Sequence, residues 1–145
     1  MAAKKKSAAK KAGRQKAVRK KTARKKNPLD RVRMICLGLP EATEVEAWGA
    51  PTFRVKNKLF AMYADSGNHH HDGRPALWIK STLVNQDLIV TSDPERYFAP
   101  PYVGPSGWVG VFVDRKCDWK LLESIVRDAY CLTAPKKLAS QIIPE

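Results

Sequence analysis

The first 26 residues contain ten lysines, three arginines and no acid; the first carboxylate in the chain is Asp30. The cations are Lys4, Lys5, Lys6, Lys10, Lys11, Arg14, Lys16, Arg19, Lys20, Lys21, Arg24, Lys25 and Lys26. Val18 is the only branched aliphatic side chain among them. Such a segment buries too little apolar surface to offset the entropy of ordering a backbone, so residues 1–26 are expected to be disordered when alone. Its alanines favour helix, but like charges one turn apart, such as Lys6–Lys10 and Lys16–Lys20, oppose it. A polyanion would remove that repulsion.

Thirteen of the 27 basic residues lie in this segment, which leaves 14 to face all 14 acids in the remainder. The net charge of +13 therefore belongs to residues 1–26, and residues 27–145 are neutral. Charge asymmetry of this kind points to a nucleic-acid tail that contacts phosphates without reading bases. A membrane-surface helix would need Trp, Phe or Leu on its opposite side, and the segment has none. A secretory signal is excluded for want of an apolar stretch, and an organellar transit peptide is disfavoured by the lysine excess. The Ala-Lys-Lys repetition resembles linker-histone tails in composition.

Residues 27–145 are long enough for one globular domain with its own core. Asn27 followed by Pro28 reads as a helix cap and first turn, with Leu29, Val32, Cys36 and Leu39 at helical spacing. Gly38 and Pro40 end that helix. "TEVEAWGAPTFRV" alternates as two strands. Placing both apolar sets on the core face requires a three-residue Gly49-Ala50-Pro51 loop, with Glu46 opposite Arg54. A second hairpin turns at Lys56-Asn57, because Asn tolerates positive φ. "DSGNHHHDGRP" is a loop, "ALWIK" a strand, "STLVNQDLIVTS" a helix, and Asp93-Pro94 opens one further helical turn. "APPYVGPSG" is a stiff loop, "WVGVFVD" a strand, and Asp118 caps a helix carrying Leu122, Ile125, Val126 and Ala129. Pro135 starts a last short helix. The order α-β-β-β-β-α-β-α-α predicts an α+β two-layer domain with an antiparallel sheet.

Candidate sites are few. His69, His70 and His71 are adjacent, so at most two share a side, and a closed metal site needs three or four converging ligands. No metal or other cofactor is expected. Cys36, Cys117 and Cys131 form no CxxC pair and read as reduced thiols in a cytoplasmic protein, two of them on apolar helix stripes. No phosphate loop and no nucleophile with a base beside it is present, so no enzymatic activity is expected. Trp48, Tyr102 and Trp108 flank loops rich in Gly and Pro; with Lys80 they can form a pocket for a base, a peptide or a small molecule, while Trp78 reads as core. Arg54, Lys56 and Lys58 crowd one hairpin as a wing would, and Lys136 and Lys137 open the last helix.

The phrases "GLPEATE", "PTFRVKNKLFA", "ALWIK", "DPERYFAPPYVGPSGWVGVFVD" and "DWKLLESIVRDAYCLTAPKKLA" resemble, in this order, the MmcQ/YjbR family from about Arg31 to Ala139. Similar members carry a His-rich loop before "ALW". The resemblance implies a small α+β domain and the family's usual DNA-binding label, which is a fold-level inference. It implies no catalytic residues, and the basic segment lies outside the family pattern. The expected protein is thus a non-enzymatic DNA binder rather than an RNA binder, without membrane contact, and nucleoid-associated if bacterial. The alternative is a small-molecule- or protein-binding module whose basic tail localises or solubilises it.

Overall fold

The computed structural model describes residues 27–64, 74–114 and 116–142. The chain divides into two units, residues 1–31 and 32–145. The sheet lies wholly in the second.

Helix α1 runs Pro28–Leu37, and the Asn27 side chain caps it by accepting from the Leu29 amide at 2.9 Å. Three strands follow: β1 Ala42–Ala47, β2 Ala50–Val55 and β3 Lys58–Ala64. After β4, Ala76–Ile79, comes α2, Leu83–Ser92, then β5, Tyr97–Phe98, a 3-10 turn at Gly104–Ser106 and β6, Val109–Phe112. Helices α3, Trp119–Thr133, and α4, Lys136–Ala139, end the described chain. The six strands form one antiparallel sheet in the order β1-β2-β3-β4-β6-β5. The fold is α+β, as the pattern of elements predicts.

Two details differ from the sequence reading. Residues 97–98 form an extra edge strand, too short to show a period. The first hairpin is also tighter than expected: Ala47 pairs with Ala50, leaving Trp48 and Gly49 as a two-residue turn with φ of 54° and 74°. Positive φ at both central residues is what a two-residue hairpin turn of type I′ demands. The register therefore shifts. Glu46 faces Pro51, Arg54 faces Thr43, and Val45 leaves the helix-covered face to stand opposite Thr52, 42% exposed. Glu44, beside Phe53, points to α1 and binds Arg33 through two parallel bonds of 2.9 Å. The second hairpin turns at Lys56-Asn57, with φ of 51° and 66°, as expected.

Alternation sorts the sheet into two faces. One carries Phe53, Val55, Leu77, Ile79, Val109 and Val111, all essentially inaccessible to solvent. Against it lie Val32 and Cys36 of α1 and Leu122, Ile125, Val126, Ala129 and Tyr130 of α3. Phe60 meets Tyr130 edge to face at 5.7 Å, and the Tyr130 hydroxyl donates to the Pro40 carbonyl, tying α3 to the end of α1. On the other face Ala50, Met62, Ala64, Ala76, Trp78, Phe98, Trp108 and Phe112 form a second apolar cluster. The Arg74 guanidinium closes one end, 3.8 Å above the Phe112 ring and paired with Asp114 at 2.7 Å. Gly110 lets Phe98 lie flat on the sheet, since a Cβ there would come 2.3 Å from the Phe98 ring.

Candidate functional site

The second face stays open beyond this cluster. Trp48, Leu59, Met62, Trp78, Tyr102, Val103 and Trp108 line a cavity of about 480 Å³. Three sources build it. Met62 and Trp78 are cross-strand partners on β3 and β4 and form its floor. The Trp48-Gly49 turn supplies one wall. The loop between β5 and β6 supplies the other: Gln86 on α2 donates to the carbonyls of Gly104, at 2.8 Å, and Trp108, at 2.6 Å, pinning that loop to the helix. Gly107 makes this approach possible, because a Cβ there would fall 2.7 Å from the Leu83 amide, and its φ of 101° excludes a side chain besides.

Trp78 and Trp108 are buried, whereas Trp48 and Tyr102 are 66% and 84% exposed. Both exposed rings hang from residues in the left-handed region, with φ of 54° and 67°. That region is unfavourable for a bulky side chain. Of the four residues proposed from sequence as a pocket, Trp48, Tyr102 and Trp108 line one cavity. Lys80 is not in its lining; alternation puts it on the same face as Trp78, two residues away. Leu59, Met62 and Val103 were not singled out from the sequence, because strand register brings the first two to the aromatic residues and the pinned loop brings the third. Gln86 gave no sequence signal at all.

Arg54 stands on the open face opposite Leu59. Its Nε donates to Thr52 Oγ1 at 3.1 Å, and that buried hydroxyl donates to the Val45 carbonyl. Lys56 is held 2.8 Å from Glu41, so the acid that offsets this hairpin is Glu41 and not Glu46. Lys58 is exposed. Lys136 and Lys137 are exposed on α4, which packs against α3.

Two of the three thiols, Cys36 and Cys131, are held in the protonated form. Burial, with the Glu44 carboxylate adding to it, pushes the Cys36 thiol far up, and burial raises Cys131 as well. Among the described residues no three His, Cys, Asp or Glu side chains converge as a metal site would require. The thirteen cations of residues 1–26 and His69, His70 and His71 lie outside the described residues. No helix among the described residues is long and apolar enough to cross a membrane.

A family model described as YjbR matches residues 37–132. The chain belongs to the YjbR family. Its YjbR region contains every residue of the cavity lining, and leaves residues 1–26, Lys136 and Lys137 outside. The fold is similar to that of Deinococcus radiodurans protein DR2400, a DUF419 domain, with a TM-score of 0.63 and 20% identity over 79% of this chain and 89% of that one. A stretch of 56 residues is 38% identical to a DNA mismatch repair protein MutS of Parabacteroides distasonis. That stretch is 37% of this chain but 6% of the MutS protein.

Proposed function

We propose that this YjbR protein is a non-enzymatic nucleic-acid-binding protein, with DNA its main target, whose phosphate contacts come chiefly from residues 1–26. The observation that carries the reading is the segregation of charge: +13 sits on 26 residues, and the remainder sums to zero. A dense cationic segment without aromatic residues suits phosphates and cannot read bases. The local likeness to a mismatch repair protein points the same way. In a bacterial cell such a protein would associate with the nucleoid.

A second reading has its own observation. The open aromatic cavity favours a ligand- or protein-binding module that the basic segment merely localises. Salt dependence separates the two. If about eight to ten of the cations neutralise phosphates at once, log K against log salt falls with a slope of roughly −7 to −9, at about −0.9 per contact. Fluorescence anisotropy with duplex DNA, for the full chain and for a chain starting at Asn27, measures this. The shorter chain is expected to lose nearly all affinity. If it kept most of the affinity and of the slope, the reading would be overturned in favour of the hairpin or the cavity.

A further inference from the structure

We infer that the cavity holds one unstacked base of a single-stranded nucleic acid, gripped between Trp48 and Tyr102 and backed by Trp78 and Trp108. The inference rests on the nucleic-acid reading above and deepens it, since phosphate contacts from residues 1–26 would leave bases untouched.

Three observations converge. The first is chemical: four aromatic rings line a cavity of about 480 Å³. That volume lies within the range of roughly 300–1,000 Å³ typical of ligand pockets. Aromatic walls suit a flat, weakly polar ring system, and every base offers a π face to stack on. The second is strain. Tyr102 sits in the left-handed region while exposing most of its surface, so burial of its ring returns little of the backbone cost, whereas the hairpin turn accounts for the same conformation at Trp48. Such strain persists where the surrounding structure imposes it, and it gathers at ligand sites.

The third is charge. The six strands contain two carboxylates, Glu44 and Glu46, and alternation puts both on the helix-covered side. The cavity side instead carries Arg54, opposite the lining residue Leu59, and Lys80, two residues from Trp78. Thr52 fixes Arg54 through Nε, and among the described residues its terminal nitrogens have no ion-pair partner. An aromatic cage for a cationic ligand would want acids at its rim, whereas cations beside a stacking site suit a base that brings its phosphates. A paired base is held in its stack, so single strands should be preferred.

The full chain is to be tested against two single strands of equal length, oligothymidylate and an abasic strand with the same phosphates. The thymidylate strand should bind more tightly, by roughly 5- to 150-fold for one base stacked on aromatic side chains, and should quench tryptophan fluorescence. Trp48→Ala and Tyr102→Ala should each take most of that preference away, while Trp48→Phe and Tyr102→Phe should keep it. Affinity for the abasic strand and its salt slope should be the same in all five proteins. Equal affinity of the unmutated chain for both strands, or a preference that survives both alanine changes, overturns the inference and leaves the phosphate reading standing. Quenching by a trimethyl-lysine peptide and not by thymidylate overturns it in favour of a cation cage. No binding of the abasic strand overturns the phosphate reading itself. The comparison of strands on the unmutated chain needs no variant, so a variant that fails to fold leaves it decisive.

Discussion

Tyr102 shows how stability and binding can oppose each other at one residue. Its φ of 67° is costly for a bulky side chain, and at 84% exposure its ring gains little from burial. Asn tolerates this conformation far better. Tyr102→Asn is therefore expected to raise unfolding stability by about 0.5–1 kcal/mol, read from a urea titration, while removing one wall of the cavity. A drop in stability would mean that the tyrosine ring packs more than its exposure indicates. The same reasoning explains why the first hairpin is misread from sequence. Gly49 is an evident turn former, but Trp48 beside it is not, so the loop is placed one residue too late and Val45 is assigned to the wrong side. Asn57 announces the second turn, and that one is read correctly.

The helices differ in what holds them. α3 buries Leu122, Ile125, Val126, Ala129, Tyr130 and Thr133 along one stripe, and Asp118 caps it by accepting from the Leu121 amide at 3.1 Å. α2 has no buried residue; it is held by the Thr82 cap on the Asn85 amide, at 3.2 Å, and by Gln86 bonding the loop. Losing a cap costs roughly 0.5–2 kcal/mol, but the consequence should differ. Asp118→Ala is expected to lower global stability by about that amount, seen in the urea midpoint. Thr82→Ala is expected to speed amide hydrogen exchange within α2 and the Gly104–Trp108 loop, with a smaller global effect, because a helix without buried residues opens locally. Equal global losses would show that α2 unfolds together with the core. α3 is legible in sequence because all its apolar positions serve one face, and β5 is not, since two residues carry no period.

At the scale of the molecule, ionisation links the core to pH. Burial raises the pKa of Cys36, Tyr97, Tyr130 and Cys131 and so opposes their ionisation. The folded chain therefore keeps protons that the unfolded chain releases above the ordinary thiol and phenol values of 9.0 and 10.0. Stability from this source is complete below the unfolded pKa values and is lost as pH rises through and above them. The urea midpoint should hold level up to roughly pH 9 and fall beyond it. The fall should be shallower in Cys36→Ala, which removes the thiol shifted furthest. A midpoint indifferent to alkaline pH would show that water reaches these groups in the native state.

What the sequence determined by itself is what depends on local pattern and summed charge. Helical periodicity, the Asn27 and Asp118 caps, the Lys56-Asn57 turn and the neutrality of residues 27–145 follow from neighbours along the chain. The α+β class follows from the order of elements. The sequence also picked out Trp48, Tyr102 and Trp108, because aromatic residues beside Gly- and Pro-rich loops are unusual. Only the tertiary structure could decide that they meet. A one-residue change in hairpin register moves every side chain of a strand to the opposite face. The two-residue Trp48-Gly49 turn thus sent both strand carboxylates to the helix side and left Arg54 on the cavity side. Leu59, Met62 and Trp78 come from neighbouring strands and Val103 from a loop pinned by Gln86, so their convergence is a property of strand pairing, which no local pattern along the chain encodes.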